Sequence, residues 1–105
     1  MRPIKHPSRK QLTLTALLYA LSDPTRMGIV QALASAPGPG LPCSALLGER
    51  PKSSMSHHFK ILREAGVIET TVEGTEHLNR LRTADVEDRF PGVLKSILRA
   101  LGKPR

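Results

Sequence analysis

A chain of 105 residues with no Trp, one Tyr and two Phe is long enough for one domain with a modest aliphatic core, and short for an enzyme with a deep pocket. Its single cysteine excludes an intramolecular disulfide and a structural zinc ribbon. With neither a signal-peptide pattern nor an apolar run near the ~18 residues of a membrane span, the expectation is a cytoplasmic protein with no membrane partner. The formal charge of +7 suits a polyanion, yet it sits at the ends: residues 1–26 carry five basic and one acidic group, residues 95–105 four basic groups, and residues 27–94 seven basic against eight acidic. Charge alone therefore marks no nucleic-acid face.

Residues 1–9 are basic, aperiodic and contain proline, which reads as a flexible arm; residues 10–101 form the folded unit and 102–105 a basic tail. The first helix is expected over 10–21. Leu14, Leu17, Leu18 and Leu21 follow the i, i+3, i+4, i+7 template of a buried stripe, while Leu12, Ala16 and Tyr19 make a second apolar row. A helix apolar on two faces needs two partners, so the surplus row is assigned to a subunit interface. Asp23 then caps a second helix with Pro24 at its first position; Met27, Val30 and Leu33 or Ala34 give its buried side, and the run Ala36-Pro37-Gly38-Pro39-Gly40 ends it. Residues 42–47 form a short third helix and 48–52 a turn.

The fourth helix is expected over 54–65 with Ser53 as N-cap. On a wheel of about 100° per residue, Met55, Phe59, Leu62 and Ala65 fall on one side and Ser53, Ser56, His57, Lys60, Arg63 and Glu64 on the other. Short hydroxyls and a histidine can meet base edges, and the local cations Arg50, Lys52, Lys60 and Arg63 can meet phosphates. Spacing alone fits a solvated amphipathic face equally well. His57 points outward with Lys60, whereas His58 falls at the edge of the buried stripe, as a packing residue with one satisfied nitrogen.

Gly66 closes the helix, and residues 67–72 and 77–82 are two strands about a Glu73-Gly74-Thr75 turn. Alternation in the second strand is poor, because Leu78 and Leu81 would face opposite sides. His77, Asn79 and Arg80 are its best candidates for phosphate contact beside the acidic tip of Glu73 and Glu76. A short helix over 84–89 and a last one to about residue 101 follow, the latter striped by Leu94, Ile97, Leu98 and Leu101 and a natural mate for the first helix, in its own chain or across a dimer. The order is mainly α with a small β-hairpin wing: an α+β winged helix-turn-helix of about five helices plus two strands.

The segments ALSDPTRMGIVQALA (20–34), SSMSHHFKILREAGVIETTVEGTE (53–76) and DRFPGVL (88–94) resemble the ArsR-type winged-helix regulators, in register from about Leu12 to Leu101. The resemblance implies a homodimeric bacterial repressor released from double-stranded operator DNA by an inducer. It implies dimerisation through the first and last helices, and DNA contacts from Ser53, Ser54, Ser56, His57, Lys60 and the 73–80 hairpin. Lys52 and Arg63 join these from the local basic cluster.

Departures from the family narrow the signal. Metal sensors similar to this family pair cysteines at the third helix or place Asp and His on the last; here Cys43 is alone and no histidine follows His77. No metal and no cofactor is expected. A small organic inducer, an oxidant acting at Cys43, or simply the level of the protein itself remains. A winged helix kept for protein contacts is an alternative to the DNA reader, separable by salt-dependent DNA binding. No acid is placed to orient a Ser–His pair, and no nucleophile elbow appears, so an enzyme is not expected.

Overall fold

The structure, a computed structural model, describes residues 4–36 and 38–102. Among these residues, six α-helices and a three-stranded antiparallel sheet share one largely aliphatic core. Helices α1 (Leu14–Ala20) and α2 (Pro24–Ser35) lead to strand β1 (Leu41–Pro42), α3 (Cys43–Leu47) and α4 (Lys52–Glu64). The hairpin β2 (Ile68–Glu73) and β3 (Glu76–Leu81) follows, then α5 (Thr83–Arg89) and α6 (Val93–Leu101). The architecture is the expected α+β winged helix-turn-helix, each of its helices falling in a segment anticipated as helical, with a third strand besides the two of the wing.

That strand, β1, pairs with β3 through Leu41 opposite Asn79 and Pro42 opposite Leu78, giving the order β1-β3-β2. At two residues it is too short to leave a periodic signal. The hairpin closes over Gly74-Thr75 between paired Glu73 and Glu76, and Gly74 takes φ +64°, a conformation glycine reaches at no steric cost.

The first helix starts later than its periodicity suggests. A 3-10 turn, Arg9–Gln11, ends at Leu12, whose backbone is extended, and Thr13 then caps α1 by accepting from the Ala16 amide at 3.2 Å. The break frees the Leu12 carbonyl, which accepts from Arg89 Nη2 at 2.9 Å, and turns the Leu12 side chain inward onto Gly66. Leu12 is 2% exposed, so its assignment to a subunit interface is corrected: it is core. The inward face of α1 is Leu17 and Ala20, whereas Leu14, Leu18 and Tyr19 are 43%, 48% and 61% exposed. A surplus apolar row exists, but Leu14 and Leu18 belong to it and Leu12 does not.

Residues 4–9 also depart from the flexible arm anticipated. His6 Nε2 accepts from the Thr70 amide at 3.0 Å, the Pro7 carbonyl accepts from Arg82 Nη1 at 2.7 Å, and Arg9 pairs with Asp85 at 2.7 Å. The first of these contacts lies on the open edge of β2, whose unpaired amides need partners, and the other two tie the segment to Arg82 just after β3 and to Asp85 of α5. Residues 1–3 of that arm and 103–105 of the tail lie outside the described residues.

Helix α2 keeps its Asp23 cap, which accepts from the Arg26 amide at 3.0 Å; that bond, first among several causes, holds the Asp23 carboxyl below its ordinary pKa. At the other end of the chain α6 packs on α2 and α5. Leu94, expected at a subunit interface, is fully buried within the chain, because the first turn of α6 is pressed against that pair. Ile97, Leu98 and Leu101 are half-buried at the core's edge.

Candidate nucleic-acid interface

Helix α4 begins at Lys52 with Pro51 as N-cap and no side-chain cap bond, not with Ser53 as the cap. The extended backbone of Pro51 (ψ 139°) sets the entry, and burial of Met55 and Phe59 at 0% and 3% exposure seats the helix. Packing thus outweighs the serine's capping preference. Ser53 and Ser54 lie in the first turn. At its far end α4 closes with the Gly66 amide donating to Arg63 O and the Val67 amide to Leu62 O, both at 3.0 Å, Gly66 at φ +78°. This paired reversal sends the chain directly into β2, so helix and hairpin are joined without a loop.

The polar face of α4 divides into two rows. Lys52, Ser56 and Arg63, with buried Phe59 beneath, line a groove of about 640 Å³ whose other walls are Pro42, Cys43, Ser44 and Leu47 from β1 and α3, and Thr75, Glu76 and His77 from the hairpin. Ser53, His57, Lys60 and Glu64 are exposed and lie outside that groove. Ser54 and Ser56 spend their hydroxyl protons within the helix, donating to Pro51 O and Lys52 O at 3.0 Å. Their oxygen lone pairs stay open, and the protons can be redirected at the loss of a weak local bond.

Of the residues anticipated at this surface, Lys52, Ser53, Ser54, Ser56, His57, Lys60 and His77 are exposed and Arg63 is half-buried. Asn79 is a correction. It has no exposed surface: its side-chain oxygen accepts from Thr70 Oγ1 at 2.7 Å and its Nδ2 donates to Leu41 O at 3.2 Å and Cys43 Sγ at 3.3 Å. Facing Thr70 across the β2–β3 ladder, it occupies the inward position that the broken Leu78 and Leu81 alternation left unexplained. Arg80 points to the opposite side, toward Gly40 and Leu33, and pairs with Glu69 at 2.9 Å. It stands apart from the α4 groove.

Cys43 is half-buried in the groove wall, with Asn79 as its polar neighbour. His58 lies where the wheel put it, half-buried, its Nδ1 3.1 Å from Arg26 Nη1 and 3.8 Å from Asp23. Arg26 itself, 6% exposed, was not singled out by periodicity; the signal available was a cation one turn inside a capped helix at a position due to be buried.

The family described as a helix-turn-helix domain matches residues 21–71, which run from the end of α1 into β2. An uncharacterized HTH-type transcriptional regulator of Methanocaldococcus jannaschii is 32% identical over 84 residues, covering 77% of this chain and 86% of that protein. Another, of Bacillus subtilis, is 35% identical over 84 residues, covering 77% and 82%. The crystal structure of an ArsR family transcriptional regulator superposes with a TM-score of 0.65 at 20% identity, over 86% of this chain and 98% of that one. With a groove-facing helix joined to a wing, and relatives matched along most of their length, the chain belongs to the helix-turn-helix transcriptional regulators and has the winged-helix fold of the ArsR type.

Proposed function

We propose that the protein acts as a homodimeric repressor that binds a palindromic double-stranded operator, reading base edges with the exposed row of α4 and phosphates with Lys60 and with Lys52 and Arg63 of the groove beside the wing. The observation that carries this reading is the continuous exposed run on α4: Lys52, Ser53, Ser54, Ser56, His57 and Lys60 all face solvent on a helix whose opposite side is fully seated. Donors and acceptors of this size suit a major groove, and two such helices related by a two-fold axis would enter successive grooves about 34 Å apart.

The exposed Leu14, Leu18 and Tyr19 support the dimer, because three large apolar side chains on a helix of seven residues gain most by burial against a second copy. Ala16 beside them, and the half-buried Ile97, Leu98 and Leu101, would extend that interface. Leu18→Glu and Tyr19→Glu are expected to give monomers whose operator affinity is at least tenfold weaker. Sedimentation equilibrium alongside DNA titration at two salt concentrations checks it. A wild-type monomer that binds its duplex tightly would sink the dimer, and binding indifferent to salt would sink the DNA reading.

The inducer proposed is a small organic molecule rather than a metal ion. Three of the five soft and imidazole donors are separately engaged, Cys43 with Asn79, His6 with Thr70 and His58 with Arg26, so that gathering them with exposed His57 and His77 would dismantle three existing bonds. Zinc, cadmium and arsenite are expected to leave operator affinity unchanged in titrations. An oxidant acting at Cys43 is the second reading, favoured by the position of its thiol in the wall of the α4 groove; an oxidant effect that persists in Cys43→Ser removes it.

A further inference from the structure

We propose that Arg26 is the positioning residue of the reading helix: a buried guanidinium that fixes the rotation of α4 against the end of α1 through His58, and so sets where His57 and Lys60 point. The inference rests on the reading of α4 as the base-contacting helix.

Arg26 is 6% exposed and cannot itself reach DNA. A buried cation is costly unless every donor has a partner, and here each nitrogen does. Nε donates to Ala20 O at 2.7 Å, Nη2 to Tyr19 O at 3.3 Å, and Nη1 lies 3.1 Å from His58 Nδ1. The guanidinium carbon also lies 5.3 Å from the centroid of the Tyr19 ring. Two of these acceptors are carbonyls at the C-terminal end of α1, which carries the negative end of its dipole; Tyr19 O also accepts from the Ser22 amide at 3.1 Å and the Ser22 hydroxyl at 2.6 Å, so Ala20 O is the firmer anchor. The third acceptor belongs to α4. One planar group thus bridges the helix proposed for dimerisation and the helix proposed for reading.

The bridge is directional where the rest of the α4 seat is not. Met55, Phe59 and Leu62 hold the helix against the core by apolar burial, which fixes distance well and rotation poorly. His58 Nδ1 can accept only along its ring plane, so the Arg26 bond fixes the angle about the helix axis. His57 is the next residue back, its exposed ring 5.8 Å from that of His58, and Lys60 is two residues on. Their directions follow from that of His58 by helix geometry. Lysine in place of Arg26 would keep the charge but lose the fork that spans three acceptors.

The test uses the full chain. Wild-type protein selects duplexes from a random-sequence pool, and Kd is measured for a selected and a non-specific duplex with wild type, Arg26→Lys, Arg26→Gln, His58→Leu and His58→Gln, well below each Tm. Partial unfolding weakens both affinities by the same factor, so their ratio is blind to a purely structural loss. The ratio is expected to fall roughly tenfold, the scale of one charge-assisted hydrogen bond, in all but His58→Gln, whose amide oxygen still offers Arg26 an acceptor. Residual dipolar couplings of the α4 amides in the free protein should show the helix rotated in the same three variants. An unchanged ratio in Arg26→Gln overturns the proposal, and so does a fallen ratio with unmoved couplings; should that variant not fold, Arg26→Lys and His58→Leu decide it by the same criteria. If wild type selects no duplex, the DNA reading fails, and unmoved couplings would then overturn the role of Arg26 as well.

Discussion

The two halves of the interface treat polar residues differently. On α4, the polar side chains of the outward face are exposed apart from half-buried Arg63, and Ser54 and Ser56 among them bond only to their own helix and its cap. On β3, polar residues meet different fates: His77 is exposed beside the groove, Asn79 on the same face is sealed in the core, and Arg80 is paired with Glu69 on the far side. A helix spreads its residues over a full turn, so a polar arc can face solvent as one surface. A strand has two faces only, and a polar residue that falls on the inward one must find partners there. The helix is therefore built to offer groups to a ligand, whereas Thr70, Asn79 and the Glu69–Arg80 pair of the hairpin are already committed to the fold.

Replacing Asn79 breaks this comparison most directly. Asn79→Ala leaves the Thr70 hydroxyl without its acceptor and opens a cavity under β1, and about 2–4 kcal/mol of stability should be lost, a large part of the ~5–15 kcal/mol of a domain this size. Thermal and urea melts should show the drop, with the ratio of selected to non-specific DNA affinity unchanged. A variant of wild-type stability that has lost DNA binding would return Asn79 to the interface.

On the helix the expected effects are smaller in stability and specific to binding. Lys60→Ala should weaken all duplexes alike and lower the salt slope by about 1, while His57→Ala should cost about 1–3 kcal/mol on one base pair of the selected site and little on others. Both side chains are exposed, so melts should move by no more than about 0.5 kcal/mol. If Lys60→Ala instead lowers Tm and leaves the salt slope intact, the outward face of α4 is a solvated surface and the contrast with the hairpin disappears.

Legibility in the sequence followed the same divide. The α4 stripe of Met55, Phe59 and Leu62, the Asp23-Pro24 cap, the Gly66 stop and the hairpin turn were readable because each depends on local chemistry or on a period sustained over several turns. The start of α4 was not, since the seat of Met55 and Phe59 overrode the serine cap. Leu12 was misread because a helical period cannot register a chain break, and the break exists to let Leu12 pack on Gly66, far away in sequence. Asn79 was misread because its value lies in acceptors and donors supplied by Thr70, Leu41 and Cys43, none of which a single strand can announce.

Arg80 sharpens the comparison from the weak side. Its partner Glu69 is 38% exposed and its own side chain 48%, so the pair should be worth about 0–1 kcal/mol. Arg80→Ala should barely move either the melt or the affinity for any duplex. A tenfold loss of DNA binding in this variant would mean that the far side of the hairpin also meets a phosphate backbone, and that the groove side is not the whole wing contact.

The smallest expected effect separates hairpin from helix by pH. His6 Nε2 accepts from the Thr70 amide on the edge of β2, which requires the neutral ring. Burial, first among its causes, lowers the pKa of His6 below the ordinary 6.5; Arg82 and Arg63 push the same way, and Glu69 opposes them. A base with a lowered folded pKa contributes its full stability above the unfolded value, and that contribution is lost as the pH falls from about 6.5 through the lowered folded pKa. Below that window the strap over residues 4–8 should loosen, so the hydrogen-exchange protection factor of the Thr70 amide should fall as the pH is lowered from 7 through the window. Amides of α4 buried by Met55 and Phe59 should hold theirs. His6→Gln, which can keep an acceptor without titrating, should make Thr70 protection independent of pH over this range. If Thr70 loses protection equally in His6→Gln, or if α4 loses it in parallel, then His6 is not what ties the hairpin edge, and helix and hairpin open as one unit.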